Sequence, residues 1–110
     1  MKDLGLILKE VDETMENIEL TKIGATHTRT EQLEKLALCF HWLTEHRDKA
    51  HKDWMSFYFG SKGSSSAAKE READMKCPEL YTLRHLMTSV KLVIDSLRTS
   101  ISGSPLNGLS

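Results

Sequence analysis

The histidines and cysteines are the residues of this 110-residue chain best suited to bind a metal ion. His41, His46 and His51 recur every five residues, and on a helix that spacing turns successive side chains by about 140°, so the three imidazoles diverge. Cys39 and Cys77 lack the paired spacing of structural zinc sites. We therefore expect no metal and no cofactor, and we interpret both cysteines as reduced thiols of a cytoplasmic protein.

The serines give no sign of nucleophilic catalysis. Several of them cluster in a Gly/Ser-rich stretch at 60–66, where flexibility opposes the fixed geometry that catalysis requires. The sequence contains no Gly-x-Ser-x-Gly, no Gly-rich phosphate loop after a strand and no His-Glu-x-x-His. We expect that the protein is not an enzyme.

A cluster of aromatic residues flanked by lysines has the composition of a single-stranded nucleic-acid site. Four aromatic residues fall within 54–59. Bases stack on such rings at about 1–3 kcal/mol each, while lysines bind the phosphates. Rings also dominate core energetics, and the spacing of Trp54 and Phe57 favours a core position for at least two of the rings. Both interpretations remain open for the candidate nucleic-acid-binding residues, which are Lys49, Lys52, Trp54, Phe57, Tyr58 and Lys62.

The charges are distributed unevenly, although the net charge is only −1. Residues 1–22 carry six acids against three lysines, whereas residues 46–62 carry four cations against two aspartates. The overall acidity argues against a dedicated duplex-DNA-binding protein. No apolar run approaches the roughly 18 residues of a membrane span, so we expect no membrane partner.

The last forty residues have an apolar residue at every heptad seam position from 80 to 101. The spacing alternates three and four, which is the 3.5-residue period that keeps two helices in contact along their length. A short chain has a limited core, so self-association into a homo-oligomer would bury more apolar surface. The predicted packing and oligomer seam consists of Leu80, Leu83, Met87, Val90, Ile94, Leu97 and Ile101.

These patterns predict an all-α fold in a single domain, residues 1–110. We expect a short amphipathic helix at about 2–18, a linker at 19–28, and a long helix at about 29–59 that a Thr28–Glu31 capping box starts. A Gly/Ser loop at 60–66 follows, with Ser66 as a cap for a helix at about 67–102 that Pro78 kinks or splits. A mobile tail at 103–110 ends the chain. The predicted apolar stripe of the first helix is Leu4, Leu8, Val11, Met15 and Ile18.

The long helix has a seam with the same spacing as the last helix. The two seams predict an antiparallel, coiled-coil-like hairpin that leaves Leu86 and Val93 for other helices or subunits. One seam residue, Arg47, is charged. Either its stem lies along the seam with its head on a carboxylate or water, or it fixes the register or oligomeric state. The seam consists of Leu33, Leu36, Phe40, Leu43, Arg47, Ala50, Trp54 and Phe57.

Several short motifs between residues 31 and 101 occur in a recognisable order. They are Trp42-Leu43 with His46, Ala50-x-Lys52, Phe57-Tyr58-x-Gly60, the charged segment 69–72, and Arg98 near the end of the last helix. In this order they resemble the UvsY-like recombination mediator proteins of tailed phages. That family consists of small helical proteins that bind single-stranded DNA, form ring-like oligomers and help load a recombinase onto DNA coated by a single-strand-binding protein.

The resemblance implies a DNA-binding role for Lys52 and for the Phe57-Tyr58 region. The family has a Lys-x-Arg pair before its aromatic pair, and Lys52 matches the lysine, whereas Trp54 stands in place of the arginine. The stretch between Trp42 and the aromatic pair and the C-terminal part are both shorter in this chain.

The sequence leaves three functions open. The first is a phage-type accessory protein that oligomerises, binds single-stranded DNA and assists recombinase loading in the host cytoplasm. The second is a non-enzymatic helical interaction module, such as a phage-encoded inhibitor of a host defence protein, without nucleic-acid binding. The third is a small oligomer that sequesters a nucleotide between subunits through Arg47, Lys91 or Arg98.

Overall fold

The computed structural model describes residues 1–21 and 26–102, which form four α-helices. They are α1 (Leu4–Leu20), α2 (Thr26–Gly60), α3 (Ser66–Lys76) and α4 (Pro78–Ser102). No β-strand occurs within those two ranges, so the prediction of an all-α fold is confirmed. Residues 22–25 of the predicted linker and the predicted tail at 103–110 lie outside the described residues.

The two long helices form the predicted antiparallel hairpin, and α3 extends it. Three contacts establish the direction: Trp54 contacts Asp74, Ala50 contacts Cys77, and His51 contacts Arg84. From α3 to α4, the contacts move from Trp54 back to Ala50 and His51, so the chain after the loop runs antiparallel to α2. The α3 helix covers the last turns of α2, and α4 runs back along the preceding turns.

The heptad seam of α4 forms the centre of the core. Five of its seven residues are at most 4% exposed, and Ile94 and Ile101 are half-buried. The facing seam of α2 buries Leu36, Leu43 and Ala50, with its remaining residues half-buried. The contact between these helices is therefore the one that the 3.5-residue period predicts. The five most buried α4 residues are Leu80, Leu83, Met87, Val90 and Leu97.

The charged seam residue behaves as the simpler of its two interpretations predicts. A guanidinium nitrogen of Arg47 lies 3.1 Å from Oδ1 of Asp48, and 38% of the arginine side chain is exposed. The head of the side chain therefore reaches a carboxylate at the edge of the interface, and the charge of Arg47 is paired.

The α1 helix packs on α2 through a stripe that differs from the predicted one at a central position. Ile7, Val11 and Thr14 are buried, whereas Leu8 is 37% exposed. The placement of Leu8 in the buried stripe was therefore wrong. Thr14 tolerates burial because its hydroxyl donates a 2.7 Å hydrogen bond to the carbonyl of Glu10.

Polar contacts fix the end of α1 against α2. Gln32 is 3% exposed, and its Nε2 donates to Oδ1 of Asn17 at 2.5 Å and to Oγ1 of Thr21 at 2.8 Å. At the opposite end, the Lys2 ammonium lies 3.9 Å from the ring centroid of Trp42. These contacts position α1 beside the N-terminal half of α2, away from the hairpin tip.

The helix ends differ in detail from the predicted ones. The α2 helix begins at Thr26, so Thr28 lies inside the helix and is not its N-cap. Ser65, not Ser66, caps α3, because its hydroxyl accepts a hydrogen bond from the amide of Ala68 at 3.1 Å. The chain splits at Pro78, where α4 begins directly after Cys77. Proline suits this position because the first turn of a helix needs no amide donor from it.

None of the described helices combines the length and apolarity needed to cross a bilayer.

Candidate functional site

Four neighbouring rings near the hairpin tip form one continuous series, which we call the ring tier (His51, Trp54, Tyr58 and Phe59). His51 and Trp54 are nearly parallel, with centroids 6.3 Å apart and planes inclined by 7°. Trp54 and Tyr58 stack at 5.4 Å and 16°. Phe59 meets the edge of Tyr58 at 5.2 Å and 89°. The tier is an aromatic surface of the kind on which unstacked bases stack.

The rings lie at the boundary between core and solvent. Trp54 and Phe57 are half-buried and pack against the core, and Tyr58 is half-buried. Phe59 is 71% exposed. The expectation that at least two rings contribute to the core is therefore met by Trp54 and Phe57, while parts of the tier remain accessible.

The α3 helix supplies the polar partners of these rings. The indole Nε1 of Trp54 donates a 2.8 Å hydrogen bond to Oδ1 of Asp74. The ammonium of Lys69 lies 6.0 Å from the Tyr58 centroid, and that of Lys76 lies 5.7 Å from the Phe57 centroid. Two cations thus approach the rings from α3, at distances typical of cation–π contacts.

The six residues proposed from the sequence do not form one surface. On a helix with about 100° per residue, Lys49 and Lys52 project between about 120° and 180° away from Trp54 and Tyr58. Both lysines are exposed, as is Lys62 in the loop after α2. The structure brings Trp54, Phe57 and Tyr58 together and separates them from Lys49 and Lys52. The cations beside the rings are Lys69 and Lys76, which sequence proximity did not indicate.

A groove between α2 and α4 brings together Arg47 and Lys91, which the third hypothesis from the sequence named, and Arg84, which it did not. It has a volume of about 610 Å³, and its lining includes Arg47, His51, Arg84 and Lys91. Arg47 and His51 lie on the same face of α2 as Trp54 and Tyr58, within about 60° of one another. A cationic groove therefore continues directly into the ring tier. The signal available in the sequence was the seven-residue spacing of Arg84 and Lys91 on the predicted helix.

Among the described residues, three ionisable groups have shifted pKa values. Hydrogen bonds from the Ser61 hydroxyl and the Lys76 ammonium lower the pKa of Glu72. Burial and a hydrogen bond to the Glu79 carboxylate raise the pKa of the Cys77 thiol to about 11. Burial, and after it the charge of Glu10, raises the pKa of the Cys39 thiol. Such thiols are poor nucleophiles, because the reactive form is the thiolate.

No three His, Cys, Asp or Glu residues converge as a metal site anywhere in the described part of the chain. Comparison with protein-family models, with curated proteins and with solved structures gave no match. The functional argument therefore depends on the geometry of the ring tier and of the charges around it.

Proposed function

We propose that this protein is a small accessory protein that binds single-stranded DNA through the ring tier. The observation that supports the proposal most strongly is the near-parallel stacking of His51, Trp54 and Tyr58, with the ammonium groups of Lys69 and Lys76 near the adjoining rings. Aromatic stacking and phosphate attraction together are the two contributions that non-specific single-strand binding uses.

The geometry favours a single strand over a duplex. A base can stack on Tyr58 or Phe59 only after it has left its own helical stack, and a duplex holds its bases inside. Duplex binding also relies on a strongly basic surface, whereas this chain has a net charge of −1. Ring stacking gives a single strand an attraction that a duplex lacks.

Within this proposal, the protein assists the loading of a recombinase onto the strand, as the resemblance to UvsY-like mediators implies. Self-association is part of the same proposal. The α4 seam is already buried within the chain, so subunits would meet through other surfaces. Tyr81 and Leu92 are 70% and 66% exposed and lie on one face of α4, about 20° apart.

A fluorescence anisotropy titration of labelled oligothymidylate tests the proposal. We expect binding at low salt that weakens steeply as salt is added, because each phosphate contact releases a counterion. A Tyr58→Ala variant should lose about 5- to 150-fold in affinity, the equivalent of about 1–3 kcal/mol for one stacked base. Leu20→Ala is the control, since it removes an exposed side chain of α1 that lies outside both the ring tier and the Tyr81–Leu92 face. Absence of binding at low salt would end the proposal.

The same exposed face of α4 supports a second candidate function, a helical interaction module. A contiguous exposed apolar patch marks a protein contact surface, and this candidate takes Tyr81 and Leu92 as parts of one such patch. If this candidate holds, the wild type recovers one stoichiometric host protein, such as a defence protein, from a lysate, and a Leu92→Asp variant does not. Neither protein should then bind a single strand. Strand binding with no recovered protein would reject it.

A further inference from the structure

We infer that the groove between α2 and α4 is a binding site for a phosphate-bearing ligand of nucleotide size. The inference goes beyond the proposed stacking role, because it concerns Arg47, Arg84 and Lys91, which lie outside the ring tier. Its ligand is a phosphorylated nucleotide, either free in solution or as one unit of a bound strand.

The charge of the groove is the first argument. Arg47, Arg84 and Lys91 contribute three cations, and Asp48 contributes one carboxylate, so the lining carries a balance of +2 before any histidine protonates. The whole chain carries −1. The lining of the groove is therefore positive although the molecule as a whole is slightly negative, and a positive groove attracts anions.

The second argument is that two of these cations lack an ion-pair partner among the described residues. Within residues 1–21 and 26–102, no carboxylate lies within ion-pair distance of Arg84 or Lys91. The Arg84 guanidinium instead lies 3.5 Å from Nδ1 of His51. An arginine beside an imidazole, with its planar N–H groups otherwise uncommitted, is suited to bidentate contact with a phosphate.

A comparison with a second groove shows that this charge is not a general property of the surface. A groove of the same volume, about 610 Å³, lies between α1 and α2. Its cations and carboxylates are equal in number, and two of its lysines are paired: Lys2 with Glu10 at 3.2 Å and Lys9 with Glu13 at 3.9 Å. Of these two grooves, the α2–α4 groove is the one that combines excess positive charge with cations that have no ion-pair partner among the described residues.

The dimensions and the apolar lining suit a nucleotide. A volume of about 610 Å³ falls within the range of small-molecule sites, about 300–1,000 Å³. Phe40 and Met87 contribute apolar surface beside the cations. Arg84 and Lys91 lie seven residues apart on one face of α4, which spaces them by about 10 Å along the helix. A base on the apolar surface and phosphates on Arg84 and Lys91 fit this layout.

Two-dimensional NMR of the full chain with two probes tests the inference. The probes are ATP without divalent cations, for the free nucleotide, and oligothymidylate, for the strand. We expect at least one of them to shift the backbone amides of Arg84, Thr88 and Lys91, which line the groove and lie outside the ring tier. An Arg84→Glu/Lys91→Glu variant should bind that probe at least about tenfold more weakly. The control, Lys49→Glu/Lys52→Glu, has the same net charge and should change affinity less than about threefold.

The outcomes separate this inference from the proposed function. Binding of ATP in the groove without any strand binding supports the inference and rejects the proposed function. Strand binding that shifts only the ring tier, with no response of the groove to either probe, rejects the inference and keeps the proposed function. Equal weakening in both charge-reversal variants would overturn the inference, since net charge alone would then account for binding. Circular dichroism confirms that each variant is folded; these four side chains are exposed.

Discussion

The indole Nε1 of Trp54 donates a 2.8 Å hydrogen bond to Oδ1 of Asp74, which joins the long helix α2 to the short helix α3. The bond holds the Trp54 ring in its stack with Tyr58, whose plane is inclined to it by 16°. It also places a negative charge beside a surface that we propose binds a polyanion. In strand binding, the hydrogen bond of Asp74 should help and its negative charge should hinder. A substitution that removes only the charge separates these two effects.

An Asp74→Asn substitution should tighten single-strand binding by about two- to threefold at low salt. The asparagine carbonyl can still accept the bond from Trp54, while the repulsion between the carboxylate and the phosphates is removed. Anisotropy titrations measure the change. Asp12→Asn is the control, because it alters the net charge equally on an exposed residue of α1. Equal tightening in both variants would show that Asp74 has no local role.

Ile7→Ala should destabilise the fold by about 2–4 kcal/mol, because Ile7 is fully buried against α2 and the truncation leaves a cavity. Leu8→Ala should cost less than about 1 kcal/mol, since Leu8 is 37% exposed. Urea unfolding followed by circular dichroism gives both values. The sequence pattern placed Leu8 and not Ile7 in the buried stripe, so it predicts the opposite order of these two losses in stability. A larger loss for Leu8→Ala would mean that α1 docks through the predicted stripe.

Cys39 and Cys77 should resist thiol reagents in the native protein. They are 0% and 1% exposed, and a Cys77 pKa of about 11 leaves about two orders of magnitude less thiolate near neutral pH than an ordinary cysteine has. In a Cys39→Ser variant, the rate of reaction with iodoacetamide measures the reactivity of Cys77 alone. The same variant in urea should react at the rate of a free cysteine. Rapid native-state reaction would contradict the buried position.

Acid should remove a stabilising contribution of Glu72. Its pKa is lowered in the folded state by Ser61 and Lys76, so the contribution is present above the ordinary value of 4.5. It is lost as pH falls below that value through the folded pKa. Glu72→Gln should therefore flatten the fall in unfolding free energy below about pH 4.5. Glu70→Gln, on an exposed neighbour, should leave the slope as in the wild type.

The parts of the fold that could be predicted are those that a repeating apolar pattern determines. The seams of α2 and α4 fix both the hairpin and its core, because a 3.5-residue period admits one contact face. The apolar stripe of α1 does not follow from the sequence in this way, because Ile7 and Leu8 both fit a helical spacing. The packing of α1 on α2 decides between them, and a single sequence does not reveal that contact.

The candidate site was predictable in its residue types but not in its arrangement. Lys49 and Lys52 are close to the rings along the chain, yet the turn of the helix points them away from Tyr58. The cations that do face the rings, Lys69 and Lys76, come from α3. Only the pairing of the helices brings them there. Local composition identified the chemistry, whereas tertiary structure determined which charges take part.

The emission of Trp54 during a titration with oligothymidylate is the most direct measurement of strand binding at the ring tier. The chain has two tryptophans, so a Trp42→Phe background makes Trp54 the only indole and keeps a ring beside Lys2. We predict quenching that saturates in the micromolar range at low salt and reverses when salt is added, because bases stack on the tier. Emission that stays unchanged while the strand is added through that range would contradict the account.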